Sequence, residues 1–256
     1  MEQLAKSLIA ERFIAHSNEY DEHALAQQQI NQQLVQLLAQ TDKASFKRVL
    51  EIGCGTGDFT QKLLAIYPIE QLVVNDLSAV FRKPLLQKIA KNRPLVSFEF
   101  MEGDAEHLVF EGKFDLLSSA SAIQWFEHPQ AFVRQASDLL QTGGVLLFNS
   151  FSSENLTEIR QLTGVGLTYP NQQDWQAWLG NDFTKLHIHQ QQIRLAFPSP
   201  LAVLQHLRQT GVTATSRNIW TRKMLSEFNQ QYLARFSCEQ GVYLTYTPIF
   251  ILGVRK

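Results

Sequence analysis

The sequence predicts an α/β protein in which a mostly parallel sheet is covered by helices on both faces. Strand-like and helix-like segments alternate across residues 45–151, three glycines follow the first strand, and an acidic residue follows each of the next two. A length of 256 residues suits one enlarged domain. We expect a single domain over 1–256, with an N-terminal helical cover (1–44), a cofactor-binding core (45–151), and later strands with helical lid insertions (152–256).

Each element is predicted from its own pattern. Residues 22–40 form the first predicted helix, because apolar residues recur there at helical spacing. The core alternates short apolar runs with helical stretches, which is typical of parallel strands joined by helical crossovers. The predicted core strands are 48–53, 71–75, 96–101, 114–119 and 144–151, and the predicted core helices are 58–66, 79–91 and 130–141.

The pattern changes after residue 151. Residues 184–197 alternate like a strand with one solvated face, and residues 242–254 form the last predicted strand. Two helices are predicted between them, near 199–209 and 221–235. Because Pro248 has no N–H to donate to a strand ladder, the last strand should be an edge strand or be broken there.

Composition and charge argue against several classes of function. The formal net charge is −1, so the total charge favours neither nucleic acid nor an anionic membrane as a partner. No apolar segment is long enough for a signal peptide or a membrane span, and the two cysteines fit a reducing compartment. We therefore expect a cytoplasmic protein. His187 and His189 have no third ligand in sequence, so no metal is expected.

The stretch RVLEIGCGTGD (48–58) places Gly53, Gly55 and Gly57 after the first strand. Glycines at this point let the backbone turn tightly and approach a ligand closely. The spacing differs from the G-x-G-x-x-G of dinucleotide sites, and the acidic Glu51 makes the segment a poor phosphate cradle. It suits a nucleoside whose tail carries an ammonium group and a sulfonium cation. The alternative is a strand–helix turn that binds nothing.

Two further acids follow the next strands. Asp76 ends the second strand, where its carboxylate can accept both hydroxyls of a ribose. Asp104 follows the third strand, where it can accept the adenine amino group while the Ala105 amide meets a ring nitrogen. Taken singly, Asp76 is explained as a helix cap and Asp104 as a turn residue beside Gly103. Together they predict one crevice beyond the carboxyl edge of the sheet.

These segments resemble a known superfamily. The stretches VLEIGCGTG, VVNDLS, EGDAEHL, FDLLSSASAIQWF and LLQTGGVLLF resemble, in order, the motifs of class I S-adenosylmethionine-dependent methyltransferases. The resemblance implies a Rossmann-like, seven-stranded sheet whose last strand is antiparallel. It also implies S-adenosylmethionine as the methyl donor and S-adenosylhomocysteine as the product. The expected cofactor-binding residues are Tyr20, Gln27, Glu51, Gly53, Gly55, Gly57, Asp76, Leu77, Asp104, Ala105 and Ser119.

A finer resemblance covers nearly the whole chain. The segments HSNEYDEHALAQ, AIQWF, NLTEIRQLTGVGLTYP, LQHLRQTGVTAT and YLTYTPIFILGV are similar to the malonyl-[acyl-carrier protein] O-methyltransferase family. This family implies methylation of the free carboxylate of a malonyl thioester, giving a methyl ester primer for pimeloyl and biotin synthesis. A small-molecule methyltransferase, such as a quinone C-methyltransferase, and a non-catalytic cofactor-binding module are the alternatives.

The residues expected to be catalytic are Arg160, Tyr20 and Tyr246. An arginine fork is the natural partner of a carboxylate, and Arg160 is the first candidate. Tyr20 and Gln27 should bring the N-terminal helix over the cofactor, and Tyr246 could donate a hydrogen bond to the thioester. The alternatives are a surface cation for Arg160, a hydrophobic anchor for Tyr20 and a core tyrosine for Tyr246.

The carrier protein implied by the resemblance is acidic, so we expect a basic docking face. The candidate residues concentrate in the later helical region, and scattered solvated cations are the alternative explanation. They are Arg208, Arg217, Arg222, Lys223 and Arg235.

Overall fold

A computed structural model describes residues 6–16, 20–92, 96–211 and 221–256. The chain divides into two compact units. The first unit consists of Met1–Ala26, Phe151–Pro170 and Gln191–Pro248, and the second of Gln27–Ser150, Asn171–Gln190 and Ile249–Lys256, in each case for the described residues.

Ten α-helices and ten strands occur in the described residues. The helices are α1 (Lys6–His16), α2 (Tyr20–His23), α3 (Leu25–Leu38), α4 (Asp58–Ile66), α5 (Arg82–Asn92), α6 (Pro129–Leu139), α7 (Thr157–Thr163), α8 (Gln172–Leu179), α9 (Pro200–Gln209) and α10 (Arg222–Phe236). The strands are β1 (Phe46–Ile52), β2 (Ile69–Asp76), β3 (Ser97–Glu102), β4 (Phe114–Ser119), β5 (Leu140–Phe151), β6 (Phe183–Gln190), β7 (Ile193–Phe197), β8 (Ser237–Cys238), β9 (Gly241–Tyr246) and β10 (Pro248–Arg255).

The second unit is built on a seven-stranded sheet with the order β3-β2-β1-β4-β5-β10-β6. Strands β1 to β5 pair in parallel, and β10, the last strand of the chain, pairs antiparallel with β6. The central strands β1 and β4 are buried along most of their length, because both faces of a parallel sheet are covered. The predicted sheet is thereby confirmed.

Two predicted strands are each divided between two sheets, which the sequence did not indicate. Residues 184–197 form β6 in the large sheet and β7 in a small one. Residues 242–254 are broken before Pro248, as predicted, into β9 of the small sheet and β10 of the large one. The expectation of an edge strand is wrong, since β10 lies between β5 and β6. Pro248 is tolerated because it is the first residue of β10.

The core of the second unit fixes the ends of the strands that carry the glycine segment. Phe132, Phe148, Trp175 and Trp178 form a chain of edge-to-face ring contacts with centroids 5.1–5.4 Å apart. Phe148 and Trp175 are fully buried, and they belong to the same apolar cluster as Leu50 and Ile52 of β1. The position of the carboxyl end of β1 is therefore fixed by close packing against this cluster.

The first unit contains the small antiparallel sheet, in the order β7-β9-β8. Two of its helices, α9 and α10, begin at residues suited to helix N-termini. Ser199 accepts a hydrogen bond from the Ala202 N–H before α9, and Thr221 accepts one from the Met224 N–H before α10. Among the described residues, no helix is both long and apolar enough to cross a membrane.

Candidate functional site

The glycine segment turns sharply where β1 ends. Gly53 has φ of +70°, and a Cβ atom there would lie 2.3 Å from the Ala122 Cβ, so only glycine fits. Gly55 has φ of +49°, and the space where its Cβ would point is open. Gly57 precedes the first residue of α4. Gly53 is therefore required by packing within the protein, whereas the open space at Gly55 leaves its backbone accessible to a ligand, as a nucleoside site requires.

Next to this turn lies a group of buried oxygen acceptors without donors. Within the described part of the chain, Glu51 Oε2, Gln27 Oε1 and Asn31 Oδ1 have no hydrogen-bond partner. Gln27 and Asn31 are one helical turn apart on α3, and the Asn31 amide donates to Asp58 Oδ2 at 2.8 Å. Unpaired buried acceptors are costly, so this group fits a ligand that brings several N–H donors.

The same place carries excess negative potential. Burial, together with the nearby charges of Asp76 and Asp58, raises the pKa of Glu51 to about 8, against a lowering effect of Thr60. Burial likewise raises the pKa of Asp76 to about 6, against the lowering effect of backbone N–H donors. A cation would relieve this repulsion, so an ammonium-bearing ligand suits the site by charge and by hydrogen bonding. Among the described residues, no group of three or more His, Cys, Asp or Glu could hold a metal ion.

The acids at the next two strand ends are already engaged with backbone. Asp76 Oδ2 accepts from the Gly55 N–H at 2.8 Å, and Oδ1 accepts from the Ser78 N–H at 3.2 Å. Asp104 Oδ1 accepts from the Glu106 N–H at 3.1 Å, and Oδ2 lies 3.0 Å from His107 Nδ1. Each ionised oxygen can accept more than one bond, so both carboxylates keep capacity for a ligand.

The remaining expected cofactor residues of the second unit lie around the same strand ends. Leu77 follows Asp76 and is half-buried, and Ala105 follows Asp104 and is buried. Ser119 ends β4, and its hydroxyl donates to the Ile52 carbonyl at 2.9 Å. The Ser119 side chain therefore ties β4 to β1 at the glycine segment.

The first unit holds a buried cluster of hydroxyl groups. The Tyr246 hydroxyl is buried and lies 2.8 Å from His206 Nε2. The Thr210 hydroxyl donates to the His206 carbonyl at 2.8 Å. Tyr20 begins α2 in the same unit. Burial lowers the pKa of His206 to about 4, so the imidazole is neutral at pH 7.

Arg160 lies on α7 in this unit, and backbone carbonyls hold its guanidinium. Nη1 donates to the Ser153 carbonyl and Nη2 to the Leu167 carbonyl, both at 2.7 Å. The guanidinium is so close to Gly166 that a Cβ there would lie 2.8 Å from Arg160 Nε. Of its five N–H groups, these two bonds use two, so the fork is oriented and keeps donors for an anion.

Three residues near these groups were not predicted from the sequence, namely Asn31, Tyr169 and Asn155. Tyr169 lies beside Arg160, and Asn155 donates to its hydroxyl at 3.4 Å. A signal for Asn31 was present, because it follows Gln27 by four residues on a predicted helix. Nothing in the local sequence distinguishes Tyr169 or Asn155 from ordinary loop residues.

The expected docking residues do not form one cluster. Arg222 and Lys223 are exposed at the start of α10, whereas Arg235 is in its last turn and donates to Gln161. The 13 positions between Arg222 and Arg235 correspond to roughly 20 Å along a helix. Arg208 is exposed in the last turn of α9, and Arg217 lies outside the described residues.

Known proteins resemble this chain in sequence and in fold. A family model for a methyltransferase domain matches residues 50–148. The chain is 58% identical to a malonyl-[acyl-carrier protein] O-methyltransferase of Haemophilus ducreyi, covering 100% of this chain and 99% of that one. It is 40% identical to a protein of the same name from Porphyromonas gingivalis, covering 99% and 97%. The YcgJ protein of Bacillus subtilis shares the fold, with a TM-score of 0.62 at 15% identity over 87% and 97% of the two chains.

Proposed function

We propose, from the fact that this chain belongs to the malonyl-[acyl-carrier protein] O-methyltransferase family, that it methylates the free carboxylate of malonyl-acyl-carrier protein with S-adenosylmethionine. The observation that carries this proposal is the 58% identity to a relative of that name over the whole length of the chain. Such identity extends beyond the matched methyltransferase domain and into both units. It favours neither quinone C-methylation nor a non-catalytic role.

The second unit would hold the cofactor. We assign the ribose hydroxyls to Asp76, the adenine edge to Asp104 and the Ala105 amide, and the ammonium group to Glu51 and Gln27. The support is the unpaired Glu51 and Gln27 oxygens and the open space above Gly55. When bound, S-adenosylmethionine supplies an electrophilic methyl group on a sulfonium centre. Leu77 and Ser119 remain predicted cofactor contacts. The Ser119 hydroxyl already donates to the Ile52 carbonyl, so its bond to a cofactor is the less strongly supported.

The reaction requires little acid–base catalysis from the protein. A malonyl carboxylate is already ionised at neutral pH, so no general base is required. The protein must place one carboxylate oxygen in line with the methyl group and exclude water. Placement of this kind contributes roughly 7–11 kcal/mol in favourable systems. Because opposite charges are neutralised as the methyl transfers, a site of low polarity assists the reaction.

Arg160 is the proposed partner of the substrate carboxylate. Its fork is held by two backbone carbonyls, so little side-chain freedom remains to be lost when an anion binds. Tyr20 and Tyr246 are the further proposed substrate contacts. The Tyr246 hydroxyl is bonded to His206 and buried, which fits a core tyrosine as well as a thioester contact.

The start of α10 is the proposed docking point for the acidic carrier protein. Arg222 and Lys223 occupy the first turn, where the helix dipole disfavours cations and no acidic residue lies. Lys223 Nζ is 3.8 Å from Glu227 Oε1 in the next turn, whereas no ion pair of Arg222 is seen among the described residues. An acidic partner would offset both effects. Arg208 and Arg235, which lie in the same unit, remain proposed docking residues. A cytoplasmic location remains a prediction that accompanies this substrate.

Methyl transfer can be measured directly with methyl-labelled S-adenosylmethionine and malonyl-acyl-carrier protein, with the acetyl form as control. The expected result is label on the malonyl form as a base-labile ester and none on the acetyl form. Equal labelling of the acetyl form would remove the free carboxylate as the acceptor. Absence of label on both, with S-adenosylhomocysteine still bound, would support a cofactor-binding module.

A further inference from the structure

Tyr169 has a hydroxyl whose orientation the structure determines. Its ring lies 6.1 Å from the Phe151 ring, and its oxygen is 3.4 Å from the Asn155 side-chain nitrogen. The Thr247 N–H lies 3.0 Å from the other end of the Asn155 amide. A backbone N–H is always a donor, so the Asn155 atom facing Thr247 is the carbonyl oxygen. The NH₂ group of Asn155 therefore faces Tyr169.

This arrangement makes the Tyr169 oxygen an acceptor toward Asn155. Its own O–H proton remains for another acceptor, since the Tyr169 hydroxyl bonds to Asn155 among the described residues. Burial raises the pKa of Tyr169, while the nearby Arg160 lowers it, and the net effect is a raised value. The hydroxyl thus stays protonated at neutral pH and able to donate.

Tyr169 shares its surroundings with the proposed carboxylate ligand. Arg160 donates to the Leu167 carbonyl, two residues before Tyr169, and contacts Gly166. One cation and an oriented O–H donor on the same short segment form a natural receptor for an anionic oxygen pair.

We infer that Tyr169 is a second substrate-binding residue, which donates its O–H to the malonyl carboxylate held by Arg160, and that Asn155 is the residue that positions it. This inference rests on the proposed function. Methyl transfer removes negative charge from the carboxylate, so a hydrogen bond to it weakens as the reaction proceeds. The bond from Tyr169 therefore contributes to substrate binding and orientation more than to the rate of transfer.

Three variants test the inference in the labelled-methyl assay with malonyl-acyl-carrier protein. Tyr169→Phe removes the donor and is expected to raise KM for the malonyl substrate about tenfold, with kcat changed less than threefold. Tyr243→Phe, which removes a hydroxyl from a half-buried tyrosine elsewhere in the first unit, is the matched control and should behave as wild type. KM for S-adenosylmethionine should be unchanged in both.

Asn155→Asp gives a sharper result. The new carboxylate still accepts from the Thr247 N–H, but its second oxygen accepts the Tyr169 proton and adds a negative charge beside the substrate. We expect a larger increase in KM than for Tyr169→Phe, with an unchanged Kd for S-adenosylhomocysteine by calorimetry. An ordinary structural defect would lower the affinity for the cofactor product as well, and that result would count against the positioning role.

Wild-type protein that fails to methylate the malonyl substrate would overturn the proposed function and this inference with it. Active wild-type protein, together with wild-type KM in both Tyr169→Phe and Asn155→Asp, would overturn this inference alone.

Discussion

Replacement of Glu51 should change the stability of the unliganded protein and the affinity for the cofactor in opposite directions. Glu51 is 1% exposed, its Oε2 has no partner in the described residues, and burial raises its pKa from 4.5 to about 8. Glu51→Gln keeps the shape of the side chain and removes the ionisation. We expect this variant to be more stable than wild type without ligand at alkaline pH, and to bind the cofactor product more weakly.

The expected stability difference follows from the pKa of Glu51. Between pH 4.5 and about 8 the folded protein holds a proton on Glu51 that the unfolded chain has released, so wild-type stability falls as the pH rises through this range. A pKa that is higher by one in the folded than in the unfolded protein changes the free energy of unfolding by about 1.4 kcal/mol. Relative to Glu51→Gln, wild type should lose roughly 3 kcal/mol between pH 5 and pH 8, or roughly 10 °C in Tm.

Ligand binding should show the opposite dependence on pH. A bound ammonium group requires ionised Glu51, so binding at pH 6.5 must first remove a proton from it. Wild-type affinity for S-adenosylhomocysteine is expected to rise roughly tenfold from pH 6.5 to pH 8. Glu51→Gln should bind more weakly and change less than twofold over the same range.

Thermal melts without ligand and calorimetric titrations at pH 5, 6.5 and 8 measure both effects. Asp76 titrates lower, near pH 6, and is present in both proteins, so it largely cancels in the comparison. A constant difference in Tm between wild type and Glu51→Gln across these pH values would refute the buried, neutral Glu51. Parallel pH profiles for binding would refute its contact with the ammonium group.

Three other perturbations test separate parts of the molecule. Arg160→Ala should lower kcat/KM for the malonyl substrate at least a hundredfold with an unchanged Kd for S-adenosylhomocysteine, while Arg194→Ala, an exposed arginine of the same unit, should have little effect; steady-state kinetics would decide. Arg222→Glu should raise KM for malonyl-acyl-carrier protein several-fold, more at low salt, and leave KM for malonyl-coenzyme A unchanged. Gly53→Ala should cost roughly 2–4 kcal/mol, from strain plus a steric clash, whereas Gly143→Ala, with φ of +75° and open space, should cost only about 1 kcal/mol by denaturant unfolding.

The sequence by itself determined the parts of this protein that depend on short-range pattern. Helix α4 occupies 58–66 and β4 occupies 114–119, as predicted, because periodicity and adjacent glycines specify such elements locally. The glycine segment after β1 and the acid ending β2 were predicted for the same reason, since each follows directly from where an apolar strand stops.

Only the tertiary structure decided which hydrogen-bond and strand-pairing partners these segments have. Asn155 orients Tyr169 because Thr247, 92 residues away, supplies the N–H that fixes its amide, and Asn31 reaches Asp58 across 27 residues. Residues 184–197 look like one strand, yet they are shared between two sheets, because each half finds a different neighbour. Burial and hydrogen-bond partners are set by contacts between distant segments, so no local pattern records them, and these contacts determine the ionisation of Glu51 and the direction of the Tyr169 proton.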